Sequence, residues 1–203
     1  MKHLKLSVFA TLALLMSACS SNENSNSEES TSAVVVMSLD AENSSLNWAG
    51  RENENHFRKG TVNFTEGSIS LEGDKIISGS FTIDMNSISA QDEGLPAEKI
   101  KYLNGHLKDT AFFQTYDFPN TIVTIGEYKD GELETTISVL GVDLKNNIPV
   151  EVNTSGENVT IKGDFSIDLA ETGMKYITDV NPETGVPSAK SIVEFKLNLN
   201  LKK

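Results

Sequence analysis

The sequence has a single cysteine, Cys19, in 203 residues. That excludes an intrachain disulfide, a thiolate zinc cluster and a paired-thiol redox site, and it leaves Cys19 to be explained by its position. Histidine is nearly as scarce: beyond His3 there are His56 and His106, too far apart to form a ligand pair on one helix, so no metal site is expected. Asp179, Asn181, Glu183 and Gly185 imitate the start of a calcium loop, but Lys190 stands where its bidentate acid belongs and Pro182 interrupts the spacing. Basic residues are few as well. The 17 Lys and Arg face 29 Asp and Glu, for a formal net charge of −12. Such a balance repels phosphate backbones and argues against nucleic acid or a bare anionic membrane as partner; its simplest use is solubility. A nucleophile elbow, a phosphate loop and a metalloprotease helix are all lacking, so the chain does not read as an enzyme.

Long apolar runs are missing except for one. Leu6 to Met16 is broken only by Ser7 and Thr11 and follows Lys2, His3 and Lys5. It has the length of a secretory core and is too short to span a bilayer. It ends in Leu15-Met16-Ser17-Ala18-Cys19, an apolar residue and two small ones before the cysteine, which resembles a bacterial lipobox. Residues 1–18 are therefore expected to be a lipoprotein signal peptide, and Cys19 the lipidated residue that anchors the chain to a membrane. Several acyl chains on one cysteine, at about 0.8 kcal/mol per buried methylene, make such an anchor effectively permanent. Loss of a leader that carries Lys2 and Lys5 and no acid moves the formal charge from −12 to −14. Ser20 to Ser32 contains no apolar residue, so residues 19–33 are expected to form a flexible tether. No Asp follows Cys19, which favours the outer membrane, on its periplasmic or its surface face.

From about Val34 to the end, residues 34–203, the apolar period is two, the signature of strands with one wet and one dry face. Ile77, Gly79, Phe81, Ile83 and Met85 alternate with Ile76, Ser78, Ser80, Thr82 and Asp84. Val142, Leu144, Ile148, Val150 and Val152 oppose Asp143, Lys145 and Glu151. Val159, Ile161, Gly163, Phe165, Ile167 and Leu169 form a third such face, and Val193, Phe195, Leu197, Leu199 and Leu201 a fourth. Weaker strands fit Leu46 to Gly50, Phe57 to Thr65, Ser68 to Leu71, Thr121 to Lys129 and Glu132 to Leu140. Turn signals stand at Glu66-Gly67, Glu72-Gly73-Asp74 and Asp130-Gly131. Eight or nine antiparallel strands result, and a sheet that long with one dry face is expected to close into a barrel, which also removes its edges. One helix is predicted, over residues 96–107, with Pro96 near its first turn and Ile100, Leu103 and Leu107 on one stripe. It would cap one barrel end.

Particular motifs then suggest a family. Ser45-Leu46-Asn47-Trp48-Ala49-Gly50, His56 followed by Gly60-Thr61-Val62, and Gly79-Ser80-Phe81-Thr82-Ile83-Asp84-Met85 resemble the opening strands of YceI-like, polyisoprenoid-binding proteins. Tyr102-Leu103, Gly105-His106-Leu107-Lys108, Phe112-Phe113 and Tyr116-Asp117-Phe118-Pro119 are similar to that family's central segment, and Gly163-Asp164-Phe165-Ser166-Ile167-Asp168 to its penultimate strand. The resemblance spans about Leu39 to Leu201. It implies an all-β, eight-stranded (eight to nine) lipocalin-like barrel around a hydrophobic small molecule, an isoprenoid such as a polyprenyl or quinone-like lipid or another fatty chain, with no further cofactor.

The side chains expected against such a tail are Trp48, Phe81, Ile83, Met85, Phe112, Phe165 and Phe195; core packing demands the same surface, and the pattern alone does not separate the two. His106 stands beside the expected barrel mouth, where it either meets a ligand headgroup or ties the helix end to a strand. His56, among Glu54, Asn55, Arg58 and Lys59, reads as an exposed loop or strand start. Two functions are compatible with this pattern: an envelope lipoprotein that sequesters or transports a lipid, or an acidic barrel without ligand that docks a protein partner. The sequence leaves oligomeric state open.

Overall fold

The fold is described here from a computed structural model, which describes residues 33–53 and 56–203. The expected signal peptide, Cys19 and nearly all of the tether lie outside the described residues. Ten strand segments make one antiparallel sheet: β1 (Val34–Leu39), β2 (Ser45–Asn53), β3 (His56–Glu72), β4 (Lys75–Ala90), β5 (Asn120–Lys129), β6 (Glu132–Val139), β7 (Val142–Pro149), β8 (Glu151–Ser155), β9 (Asn158–Asp168) and β10 (Ile192–Lys202). They occupy eight positions. β1 and β2 run in the same direction between β3 and β10, β1 pairing Val34 with Glu72 and β2 pairing Leu46 with Val62, so they are one strand interrupted by a short 3-10 turn at Ala41–Asn43. β7 and β8 are likewise one bent strand, separated by Val150 alone.

That second bend closes the barrel. β7 pairs with β6 over Val142 to Pro149, and β8 pairs with β9 over Glu151 to Ser155. Pro149, which has no N–H to give, stands where the strand leaves one partner for the other. Gly163 of β9 faces the crossing: a Cβ there would lie 2.6 Å from the Pro149 carbonyl oxygen and 3.0 Å from Val150. Beyond the crossing no ladder joins β7 and β9 among the described residues. The gap is filled by a second apolar cluster of Val139, Leu144, Ile167, Leu169, Met174 and Ile177.

The connections divide by end. One end carries tight turns at Gly73-Asp74, Asp130-Gly131 and Gly156-Glu157. Asp130 and Gly131 have φ of 54° and 86°, the two positive values that a two-residue hairpin turn requires. The other end carries one tight turn, Leu140-Gly141, and the long excursions: residues 91–119, with helix α1 (Ala97–Lys108), and residues 169–191, with the single turn α2 (Lys175–Thr178). Val34, paired beside the first tight turn, and Lys203, whose N–H donates to the Glu157 carbonyl, both lie at the tight-turn end.

The helix falls where its residues predict, within one position at each end, and Pro96 is its N-cap residue. Two details of the sheet differ from the sequence expectation. Glu66-Gly67 is not a turn: β3 runs through it as one 17-residue strand, and the pairing with β4 shifts there by a bulge, between Phe64 and Glu66. The inward face of β4 also does not begin at Ile77. A register shift between Ser70 and Leu71 reverses the alternation, so Ile76 is fully buried and Ile77 half-exposed. An extra residue in one strand swaps the faces of the residues beyond it, and simple alternation does not reveal it.

Candidate functional site

The barrel interior is solid at one end and hollow at the other. At the tight-turn end Met37, Ile69, Leu71, Ile76, Val159, Ile161 and Leu201 fill the cross-section and are 0–3% exposed. Above them lies a cavity of about 800 Å³. Its deepest lining includes Leu46, Phe64, Phe81, Ile125, Leu133 and Leu199, and its wall rises past Val62, Val123, Ile137 and Leu197. It opens among α1, α2 and the strand ends beside them, so it is a blind pocket with one mouth.

All eight residues singled out from the sequence lie on its wall. Trp48, Phe195 and Phe165 form a row across three neighbouring strands, with Phe195 paired to both others; the two phenylalanine rings stack 5.6 Å apart. The Trp48 indole sits against Gly60, where a Cβ would come within 2.6 Å of it, and its Nε1–H donates to the Thr61 carbonyl at 3.3 Å. Thus the polar edge of the ring is satisfied while its face is free to line the cavity. Phe81 stands deeper on β4, its ring over Gly67 and 6.0 Å edge-on from Phe64; Ile83 and Met85 come after it up the same wall. No side chain except glycine fits under that ring, since a Cβ would be 2.1 Å from it.

His106 and Phe112 stand at the mouth in a cluster that the sequence did not assemble. His106 Nδ1 is 3.0 Å from Asp109 Oδ2 and 3.0 Å from Tyr176 Oη. A carboxylate only accepts, which assigns the imidazole proton to Nδ1 and leaves Nε2 as an acceptor. The Tyr102 ring lies edge-on to His106 at 4.3 Å, and Phe112 stacks on Tyr176 at 4.6 Å. Partial burial, and then the nearby Asp109 charge, push the Tyr176 phenol above its ordinary range. The cluster is held by its backbone. Asp109 Oδ1 accepts from Ala111 N–H at 2.8 Å, Tyr176 N–H donates to the Ala111 carbonyl at 3.2 Å, and Ala90 N–H donates to Asn104 Oδ1 at 2.7 Å. His106 joins the end of α1 to α2 and not, as expected for a structural role, to a strand. Tyr176 lies 70 residues from His106 and only the fold brings them together.

Charged groups also reach the mouth: Arg51, Arg58, Lys99 and Lys190, with Glu52 and Glu98. The Arg51 guanidinium lies 3.8 Å over the Phe57 ring, and Arg58 bonds Glu52 at 2.9 Å. In sequence this segment reads only as an exposed loop or strand start; His56 is indeed the exposed first residue of β3 and does not line the cavity. No group of three or more metal-ligating side chains occurs among the described residues. A wall of this kind, broken only by the buried Thr121 and Thr135, offers a tail dispersion contact and dry surface along its depth, and charged groups at the rim alone.

Comparison with solved structures finds the same barrel elsewhere. A polyisoprenoid binding domain from Saccharophagus degradans superposes with a TM-score of 0.61 at 18% identity, over 82% of this chain and 97% of that one. BcnA of Burkholderia cenocepacia superposes with a TM-score of 0.63, also at 18% identity, over 80% of this chain and 98% of its own. A comparison with curated proteins finds no match. The model of the YceI-like domain matches residues 37–201, from Met37 in the barrel floor to Leu201 in the last strand, and the chain therefore belongs to the YceI-like family.

Proposed function

We propose that this protein is a binder of an isoprenoid or comparable single-tailed amphiphile, which it holds with the tail in the barrel and the head at the mouth. The observation that carries this reading is the blind cavity of about 800 Å³, apolar along its depth except for the buried Thr121 and Thr135, and charged only at its rim. Each five-carbon unit drawn out of water contributes about 4 kcal/mol gross, at about 0.8 kcal/mol per methylene-sized group. Association costs about 4–15 kcal/mol, so about three to six units reach the roughly 8 kcal/mol of micromolar binding. The polyisoprenoid-binding relative at 18% identity supports the same reading by fold. A barrel acting only through its acidic surface has no need of such a cavity. We read the chain as a binder and give His106, Asp109 and Tyr176, which bond one another, the part of holding α1 and α2 together at the mouth.

The leader and Cys19 extend the proposal to a lipid-anchored protein of the cell envelope, most simply the outer membrane, that sequesters or transports its lipid there. The test of binding uses the chain's one tryptophan, Trp48, on the cavity wall. Its emission is expected to shift on titration with a prenyl alcohol, and organic extraction of the purified protein is expected to release a prenyl or fatty chain. An unchanged emission together with an empty extract would refute the proposal.

A further inference from the structure

We infer that the floor of the barrel is a stop that sets how much of a tail the protein takes in, at about five isoprene units; this rests on the proposed function. The deepest ring pair, Phe64 and Phe81, stands with Ile125, Leu133 and Leu199 at the bottom of the cavity, and Met37, Ile69, Ile161 and Leu201 lie packed below. None of those four lines the cavity, and none is more than 2% exposed, so no channel continues past them. Phe81 cannot swing down against β3, because its ring already rests on the bare backbone of Gly67.

The volume sets the length. At about 30 Å³ per methylene-sized group, the share of liquid that one water molecule takes, a cavity of about 800 Å³ holds about 27 such groups, or about five five-carbon units. The depth sets the shape. The lining residues of β10 run from Val193 to Leu199, a span of about 20 Å at about 3.3 Å per residue, or about 15 Å along the axis for a tilt of about 40°. A tail that fills the volume therefore folds back on itself, and a longer one leaves its remaining units outside, in water, where they add no affinity.

The test displaces a fluorescent fatty probe from the purified protein with prenyl alcohols graded from two to eight units. Affinity is expected to rise at least tenfold per unit up to about five units and then to level off. Phe81→Ala removes a ring from the stop and is expected to move the break about one unit longer. Ile125→Phe adds a ring near the bottom of the hollow part and is expected to move it shorter; it fills open space, so it keeps the test alive if the first variant does not fold. Affinity that climbs without a break through the longest alcohol, or a break that neither variant moves, overturns the stop while leaving lipid binding intact. Displacement by no alcohol at any length overturns the proposed function and the stop together.

Discussion

A phenol partly withdrawn from water beside a carboxylate keeps its proton longer than one in solution, and Tyr176 is so placed, with Asp109 bonded to the same His106 nitrogen. Because its folded-state value lies above the unfolded one, its contribution to stability is complete below the ordinary tyrosine range near 10 and is lost as pH rises through the raised value. A spectrophotometric titration of the phenolate band should therefore lose a late-ionising component in Tyr176→Phe; loss of an early one would contradict this account. At this scale the sequence was legible where a side chain serves the sheet. Trp48, Phe81 and Phe165 sit on the dry face because alternation puts them there. Tyr176 and Asp109 were illegible because they stand in two separate excursions that only the fold brings together, and Arg51 because β2 runs three residues past the strand expected there.

Strands reveal their faces but not their defects. The long apolar alternations of β9 and β10 were readable throughout, since neither contains a register shift. β3 reads as two strands in sequence because Glu66-Gly67 has turn chemistry, yet that pair stays in the ladder opposite Thr82 and Phe81, and the bulge falls at Thr65 just before it. Burial of Phe81 above Gly67 decides between the two outcomes, and that contact is not local. The bent strand formed by β7 and β8 makes the most exacting demand, because its carbonyl at Pro149 leaves room only for glycine at position 163. Gly163→Val is expected to cost about 1–3 kcal/mol or more through that clash. The loss should register as a lower denaturation midpoint and as faster amide exchange concentrated in β8 and β9. Exchange accelerated evenly over the whole barrel would mean that the seam is no weaker than the rest.

Taken whole, the molecule is a barrel with a packed lower part and an empty upper part, and the empty part forgoes contacts that a filled core would have made. Occupancy should repay them. At a free ligand concentration of 100 times Kd, mass action adds about 2.7 kcal/mol, which for a domain of this size raises the melting temperature by about 5–10 °C. A prenyl alcohol that shifts Trp48 emission without raising the melting temperature would be one that binds the unfolded chain equally well, and would count against a site made by the fold. Because the wall is uncharged, added salt should leave that shift nearly unchanged. Closure itself was foreseeable from a one-faced sheet of eight or nine strands, whereas the hollow was implied only by the family resemblance: the same Leu, Ile and Phe pattern describes a full core and a hollow one.

Both Val34 and Lys203 issue from the end with the tight turns, opposite the mouth. Held by either terminus, the protein stands like a cup on its base. A fluorophore, a bead or a fused partner joined there loads the foot and leaves the rim clear, so cargo can be exchanged from above while the vessel stays fixed.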